Sequence, residues 1–139
     1  ANISGGYEIR NPYFKGCMGE KNISRIAGGT NGWLKACCIF EGFMDYLSYL
    51  TLLKRNCFSI CIRHPTDYII LNSVNNIKKV QPILDEYDHI HCYLDNDNAG
   101  KVATEYIIGI QQAKAIDESY RYNGCKDLND YLRGKQLLK

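Results

Sequence analysis

Short runs of apolar residues alternate along this chain with segments in which the apolar residues recur at helical spacing. The alternation predicts strands at 36–40, 67–72 and 89–94, and helices at 44–55, 75–86 and 99–113. Pro82 interrupts the second of these helices or marks the point at which it restarts. Strands that alternate with helices predict βαβ units. The expected fold class is therefore α/β and Rossmann-like, a mainly parallel sheet flanked by helices.

The two ends of the chain show weaker patterns. Polar and apolar residues alternate near the N-terminus, which predicts a small antiparallel β-rich element from segments 7–10, 13–17 and 22–26. A glycine-rich loop is expected at 28–32, and residues 57–62 are expected to form a short strand or a connecting segment. We expect the last strand at 115–122 and the last helix at 127–136.

The length and composition are those of a globular domain. The 139 residues are 45% hydrophobic and 23% charged, and we expect a β-rich extension at 1–33 packed on a catalytic domain at 34–139. The longest apolar runs have about six residues, whereas a membrane-spanning helix needs ~20. The start of the sequence has no secretory-signal pattern. We therefore expect a cytoplasmic protein with no membrane partner.

The seven cysteines favour a reduced protein. Their odd number and their positions do not form a disulfide framework, which fits the cytosol. Cys57, Cys61 and His64 lie close together in the sequence, but no second Cys/His pair follows at zinc-finger spacing. We therefore do not expect a zinc site at these residues.

The formal net charge of +2 gives little information about partners, because an acidic metal site would offset basic residues elsewhere. A module that binds duplex DNA more often has a strongly basic face. The basic candidates fall into three groups along the chain: Lys15, Lys21 and Arg25; Lys54, Arg55 and Arg63; Arg133, Lys135 and Lys139. A solvated surface of mixed charge is the simplest interpretation.

Two acidic clusters follow the first and the third of the predicted strands. The first contains Glu41 and Asp45, and the second contains Asp95 and Asp97. Ligands of open α/β sheets bind beyond the carboxyl ends of the strands. Mg²⁺ is typically bound by one or two carboxylates together with waters and substrate phosphates. Two facing carboxylates also repel each other unless a cation lies between them. The two clusters together predict a site for Mg²⁺ or Mn²⁺.

Single residues of these clusters also have structural interpretations. Asp and Asn favour turns and helix N-caps, so Asp97 or Asn98 would cap the helix that begins near residue 99. Gly42 would supply a sharp turn or room for a phosphate. Lys101 would contact a phosphate at a helix N-terminus, or would lie exposed on the helix. The occurrence of both clusters at strand ends favours the metal site.

The order of these motifs resembles the Toprim domain. Residues 41–45 read Glu-Gly-Phe-Met-Asp, and residues 95–100, about fifty positions later, read Asp-Asn-Asp-Asn-Ala-Gly. Residues 126–130, Lys-Asp-Leu-Asn-Asp, are similar to a late segment of Toprim domains in plasmid and mobile-element primases. The resemblance runs from about Leu34 to the end of the chain, and residues 7–16 resemble the stretch before Toprim in the primase branch. Toprim domains occur in bacterial-type DNA primases, type IA and II topoisomerases, OLD-type nucleases and RecR-type repair proteins.

The resemblance implies a role for each residue of the motifs. Glu41 would be the general acid/base, supported by Asp45. The metal ligands would be Asp95 and Asp97, with further contributions from Glu41 and Asp127. Phosphate or nucleic acid would be bound by Gly42, Gly100, Lys101 and Lys126, while Asp130 would add a further acidic group or serve only as a helix residue. Such a set suits nucleotidyl transfer, which needs neutralised phosphate charge and one proton-transfer group.

We therefore expect the metal-dependent domain of a DNA primase-like protein that makes primers on single-stranded DNA in the replication of a plasmid or mobile element. The implied partners are single-stranded DNA, nucleoside triphosphates, an upstream zinc-binding domain and a replicative helicase. These 139 residues contain neither that zinc-binding domain nor a basic subdomain, and we expect them to be insufficient for primer synthesis alone. The alternatives are a Toprim nuclease and a non-catalytic repair or recruitment module.

Overall fold

The computed structural model describes residues 1–29 and 34–137, so most of the loop expected at 28–32 and the basic residue Lys139 lie outside the described residues. The described strands are β1 (Tyr7–Asn11), β2 (Phe14–Met18), β3 (Ser24–Ile26), β4 (Ala36–Phe40), β5 (Asp67–Ile70), β6 (His89–Tyr93) and β7 (Ala115–Asp117). The described α-helices are α1 (Phe43–Lys54), α2 (Gln81–Leu84), α3 (Asn98–Gln111) and α4 (Leu128–Leu132). Segments of 3₁₀ helix lie at Val74–Val80, Gln112–Lys114 and Ser119–Tyr122.

Five of these strands form one sheet in the order β3-β5-β4-β6-β7. The four strands from β5 to β7 in this order are parallel, and β3 pairs antiparallel with β5 at one edge. Strands β1 and β2 form a separate antiparallel hairpin, which we call the N-terminal hairpin. The predicted α/β fold class, with a small β-rich element before it, is confirmed.

Strand β4 lies at the centre of the sheet, and all five of its residues are buried. Phe40 points to one face and packs edge-on against Tyr49 of α1, with ring centroids 5.2 Å apart, and stacks on Tyr93 of β6 at 5.6 Å. Leu128 of α4 is buried in the same cluster. On the opposite face, Ile39 belongs to a cluster that includes residues of α2 and α3. A core on each face therefore fixes the sheet between two helical layers.

The helix that follows β4 covers one face of the sheet, whereas the helix that follows β6 covers the other. Strands β4 and β6 are neighbours. Because their helices cover opposite faces, the chain leaves the two carboxyl ends in opposite directions. This divergence opens a crevice between the two strand ends, and open α/β sheets bind ligands at such a point. Both predicted acidic clusters begin directly after these two strands.

The segment expected as an N-terminal extension contributes to the sheet. Strand β3 bonds to β5 with Arg25 opposite Ile69, and the Arg25 guanidinium forms an ion pair with Glu86 at 2.6 Å. Arg25 thus ties the edge strand to the segment that follows α2, away from the acidic clusters. The proposed division of the chain at residue 33 stays a prediction.

Two predicted elements are longer than the observed ones. The strand expected at 115–122 ends at Asp117, because its side chain accepts a hydrogen bond from the Ser119 amide and turns the chain. The helix expected at 127–136 is limited to α4, and Gly134 follows it with a φ of 68°, a conformation that favours glycine.

The helix expected at 75–86 is divided into a 3₁₀ helix and α2. Pro82 lies in the first turn of α2, where its missing N–H has no intrahelical acceptor to lose. Residues 57–62 form turns in place of a strand, and the Cys57 amide donates to the Leu52 carbonyl oxygen at the end of α1. No described helix combines the length and the apolar character needed to cross a membrane.

Candidate active site

A cleft lies at the carboxyl ends of β4 and β6 and is built from three parts of the chain. The strand ends contribute Glu41, Gly42, Asp45, Asn72, Ser73 and Asp95. The N-terminal hairpin contributes Glu8, Arg10 and Lys15. Residues 118–132, which we call the C-terminal arm, contribute Lys126, Asp127 and Asn129. The fold therefore brings together six of the predicted site residues, which are Glu41, Gly42, Asp45, Asp95, Lys126 and Asp127.

Glu41 is the first residue after β4 and is partly buried in the cleft. Its Oε2 atom is buried and has no hydrogen-bond partner within residues 1–29 and 34–137. Burial and the negative charge of Asp97 raise the pKa of Glu41, while Lys126, Lys15 and the Asp95 backbone oppose this shift. An unpartnered buried carboxylate oxygen is costly, so this atom is suited to a cation or to a proton.

Asp95 follows β6 and is only 8% exposed. Burial, together with the charges of Glu41, Asp45 and Asp127, raises its pKa to about 8. The Lys126 ammonium lies 3.6 Å from Oδ2 of Asp95 and partly compensates this cluster of negative charge. The cleft therefore concentrates carboxylates that repel one another, and a divalent cation would relieve that repulsion.

Asp45 lies in the first turn of α1 and is also 8% exposed. Its Oδ1 atom accepts a hydrogen bond from the backbone amide of Asn129 at 3.1 Å, and the Asn129 side chain donates to Ser48 at 3.0 Å. Burial and the charge of Asp127 raise the pKa of Asp45 to about 7. Asp45 thus attaches the C-terminal arm to α1 and keeps its second oxygen atom on the side of the cleft.

Two of the predicted metal ligands cap helices. Asp97 is the N-cap of α3, and its Oδ1 atom accepts from the Gly100 amide at 2.9 Å. Asp127 is the N-cap of α4, and its Oδ1 atom accepts from the Asp130 amide at 2.7 Å. Asp127 still lines the cleft, whereas Asp97 does not line it and acts on Glu41 only through its charge. Asp130 lies in the first turn of α4 as a helix residue.

Of the predicted phosphate-binding residues Gly42, Gly100 and Lys101, one lines the cleft. Lys101 is exposed on α3 and does not line the cleft. Gly100 packs so closely on β6 that an added Cβ atom would lie 2.1 Å from the Asp95 carbonyl oxygen. Gly42 does line the cleft, but its φ of −132° suits any residue, so a sharp turn does not explain the glycine there. Phosphate binding by these residues stays a prediction.

The N-terminal hairpin presents a charged face to the cleft. Arg10 and Lys15 are directly opposite each other in the hairpin, and both line the cleft together with Glu8. Neither cation forms an ion pair within the part of the chain that the structure describes. Adjacent unpaired cations repel each other, so this face is suited to an anion.

The donor atoms of the cleft fit a hard divalent cation. They are carboxylate oxygens, which Mg²⁺ and Mn²⁺ prefer, and one of them is the unpartnered Oε2 of Glu41. Within the described residues, no three His, Cys, Asp or Glu side chains converge closely enough to form a complete metal site. A cation in this cleft would therefore retain waters or phosphate oxygens as further ligands, as Mg²⁺ commonly does.

Several residues of the cleft were not predicted from the sequence as site residues. Asn129 and Asn72 carry no charge and lie in loops or helix starts, where Asn has structural uses. The resemblance of residues 7–16 to the stretch before Toprim assigned no role to Arg10, and Lys15 was grouped with surface cations. Pairing of β1 with β2 at the observed register is the signal that would have placed both cations on one face of the hairpin.

Comparisons with known proteins identify the family and the fold of this chain. A sequence profile of the Toprim-like family matches residues 38–132, which is more than half of the chain. The chain belongs to the Toprim-like family. The resemblance drawn from the sequence motifs is thereby confirmed. No curated protein sequence matches this Toprim-like chain.

Solved structures from bacteriophage T7 share the fold of this Toprim-like chain. The crystal structure of the primase fragment of the bacteriophage T7 primase-helicase protein matches with a TM-score of 0.62 and 19% identity, over 93% of this chain and 53% of that chain. A second match, with a TM-score of 0.58 and 22% identity, covers 91% of this chain and 63% of the other. It comes from the bacteriophage T7 lagging-strand DNA polymerase interacting with primase domains of two gp4 subunits bound to an RNA/DNA hybrid and dTTP. The Toprim-like chain thus spans about half the length of the T7 primase fragment.

Proposed function

We propose that this Toprim-like chain is the metal-dependent catalytic domain of a DNA primase-like protein. In this proposal it catalyses nucleotidyl transfer for primer synthesis on single-stranded DNA. The observation that carries the proposal is a single cleft in which carboxylates from β4, α1, β6 and the C-terminal arm meet cations from the hairpin and from Lys126. Phosphoryl transfer needs this combination, because catalysis depends on positioning and on the neutralisation of phosphate charge.

Asp95 and Asp127 would bind Mg²⁺ or Mn²⁺ in this cleft, beside Glu41. The cation would neutralise phosphate oxygens and would orient them. Asp97 would assist through its charge, since it does not line the cleft. The raised pKa values of Asp95 and Asp45 support this proposal, because a bound cation would reduce the repulsion between the carboxylates of the cleft.

Glu41 would act as the general base. In nucleotidyl transfer, a 3′-hydroxyl oxygen forms a bond to the α-phosphorus of a nucleoside triphosphate, and the bond to the diphosphate leaving group breaks. The hydroxyl proton needs an acceptor, and Oε2 of Glu41 is an unpartnered acceptor in the cleft. Burial raises the pKa of Glu41 and makes its carboxylate a better base than an exposed one.

Arg10, Lys15 and Lys126 would bind the triphosphate. The first two lie side by side on the hairpin, and Lys126 lies beside Asp95, so an anion between them would touch both the hairpin and the C-terminal arm. Arg binds phosphate oxygens in pairs, and Lys binds them as a point charge. We place Lys101 outside this set because it is exposed on α3, away from the cleft.

The wider assignment follows the printed names of the similar structures. One is a primase fragment of a primase-helicase protein, and the other includes primase domains bound to an RNA/DNA hybrid and dTTP. By analogy we propose single-stranded DNA and nucleoside triphosphates as ligands, a helicase as partner, and an upstream zinc-binding domain. Replication of a plasmid or mobile element in the cytoplasm is the proposed setting.

Primer synthesis by the intact protein that carries this domain tests the proposal. Glu41→Gln keeps the size of the side chain but removes its basicity, so we expect at least a ~100-fold loss of synthesis with DNA affinity nearly unchanged. Lys101→Ala is the control and should keep full activity. Full activity of the Gln variant would exclude Glu41 as the base. Cleavage of the template by a wild type that makes no primer would assign the domain to the nucleases.

A further inference from the structure

Asn96 lies between Asp95 and Asp97 and contacts an unusual number of backbone carbonyl groups. Its Nδ2 atom lies 3.0 Å from the carbonyl oxygen of Cys125 and 3.3 Å from those of Ser119 and Tyr122. All three acceptors belong to the C-terminal arm. A side-chain amide has two N–H donors, so three carbonyl oxygens share them in this arrangement.

The backbone of Asn96 contacts the same arm. Its amide donates to the carbonyl oxygen of Lys126 at 2.6 Å. Tyr122 donates from its hydroxyl to the Leu94 carbonyl oxygen, also at 2.6 Å. The carboxyl end of β6 thus holds the arm from Ser119 to Lys126 through side-chain and backbone hydrogen bonds.

These contacts determine where the charged residues of the arm lie. The arm between the short 3₁₀ helix and α4 pairs with no strand among the described residues, so several of its backbone carbonyls depend on donors outside it. Lys126 follows directly after the carbonyl that bonds to Asn96, and its ammonium reaches Asp95 at 3.6 Å. Asp127 comes next and lines the cleft. A shift of the arm would move both charges relative to Asp95.

We propose that Asn96 is the positioning residue of the active site: it docks the C-terminal arm on β6 so that Lys126 and Asp127 face Asp95. The inference deepens the proposed function and rests on it, because the value of this placement lies in cation and phosphate binding. The residue type matters. An Asp at this position would present only acceptor atoms to three carbonyl oxygens. An Ala would remove the side-chain donor and leave the Tyr122 carbonyl with only its bond from the Cys125 amide.

Other contacts hold the arm at its two ends. Asn129 is attached to Asp45 and Ser48, and the carboxylate of the buried Glu118 lies 2.8 Å from Nδ1 of His91 on β6. Loss of the Asn96 contacts should therefore loosen residues 122–127 without releasing the whole arm. This expectation separates a positioning role from a general role in folding.

The test compares Asn96→Asp and Asn96→Ala with the matched control Asn123→Asp, at an exposed Asn of the same arm, whose new side chain still accepts from the Gly124 amide. Two quantities are measured: backbone amide hydrogen exchange without metal, and the Mn²⁺ dissociation constant by electron paramagnetic resonance. We expect at least ~10-fold faster exchange in residues 122–127 for both Asn96 variants, with protection in β4 unchanged. The control should resemble the wild type.

The Asp variant gives the sharper test of cation binding. Its added negative charge beside Asp95 would by itself strengthen Mn²⁺ binding. We expect instead about 10-fold weaker binding, because Asp127 moves out of place. Unchanged exchange in the arm, or Mn²⁺ binding at least as tight as in the wild type, would overturn the proposal.

Two further outcomes are also decisive. If Asn96→Asp loses protection in β4 as well, Asn96→Ser, which keeps one hydrogen-bond donor, replaces it under the same criteria. A wild type that binds no Mn²⁺ would contradict the proposed function, whereas the exchange measurement would still decide whether Asn96 positions the arm.

Discussion

Asp45 accepts a hydrogen bond at 3.1 Å from the backbone amide of Asn129, which lies 84 residues later in the chain. This contact joins the acidic motif after β4 to the Lys-Asp-Leu-Asn-Asp segment at the start of α4. Asp45 is buried, and Asp127 is among the charges that raise its pKa. The bond therefore attaches the last motif to the first, although it keeps two like charges near each other. A bound cation would reduce the repulsion between these two carboxylates and would thereby stabilise the arrangement.

The buried carboxylates predict a pH dependence of stability without metal. Burial raises the pKa of Asp45 to about 7 and that of Asp95 to about 8, above their values in the unfolded chain. The folded state therefore binds more protons than the unfolded state between pH ~4 and ~8, and the free energy of unfolding falls as pH rises through this window. At about 1.4 kcal/mol per pKa unit, each group contributes on the order of several kcal/mol.

Urea unfolding at pH ~5 and ~8.5 measures this dependence. Asp95→Asn and Asp45→Asn should each flatten it and should stabilise the metal-free protein at the higher pH. In the second variant, the amide oxygen of the new side chain can still accept from the Asn129 amide. Asp117→Asn is the control, because this exposed residue also keeps its acceptor oxygen. Equal slopes for the wild type and both cleft variants would contradict the account.

Replacement of either of two glycines of α3 by alanine should change the stability of the protein, but in opposite directions. An added Cβ at Gly100 would lie 2.1 Å from the Asp95 carbonyl oxygen, so Gly100→Ala must displace the start of α3 or the end of β6. We expect a loss of about 3 kcal/mol or more, as for other overpacked sites. Gly109 has no atom within 4 Å of an added Cβ, and Gly109→Ala should stabilise the helix by about 0.5–1 kcal/mol. Thermal unfolding of both variants checks the contrast, which equal effects would refute.

Removal of the Lys126 charge should change the affinities for Mn²⁺ and for a nucleoside triphosphate in opposite directions. Its ammonium lies 3.6 Å from Asp95, so Lys126→Met should strengthen binding of Mn²⁺ alone several-fold by removing a positive charge from the site. The same change should weaken binding of a magnesium–nucleoside triphosphate complex about 10-fold, because a phosphate contact is lost. Isothermal titration calorimetry measures both affinities, with Lys101→Met as the control. A parallel change in the two affinities would remove Lys126 from phosphate binding.

The sheet and the acidic cluster after β4 were predictable because they depend on local patterns. Strand β4 is apolar and buried throughout, and helix α1 follows it with apolar residues at helical spacing. The carboxyl ends of parallel neighbouring strands must lie at the same edge of the sheet, which places Glu41 near Asp95. These conclusions need only the periodicity and the order of elements.

The remaining parts of the cleft depend on contacts between distant segments. The cap that Asp97 forms on α3 is local and was among the expectations, whereas the position of Asp97 outside the cleft lining was not. The roles of Asn96 and Asn129 arise from hydrogen bonds to segments 23 to 84 residues away, which no local pattern encodes. The hairpin cations line the cleft because of how the hairpin packs on the rest of the chain, and the resemblance of residues 7–16 assigned neither cation a role.

Mn²⁺ titration of the isotope-labelled chain, followed by paramagnetic broadening of backbone amide signals, tests the central claim most directly. The account predicts that broadening at low Mn²⁺ begins at residues 41–45, 95–97 and 126–129, which line or adjoin one cleft. Dissociation should be in the millimolar range, since few protein ligands are available, and Asp95→Asn should reduce the broadening while Lys101→Ala leaves it unchanged. Broadening that is centred elsewhere, or that is unaffected by Asp95→Asn, would contradict the assignment of this cleft as the metal-dependent active site.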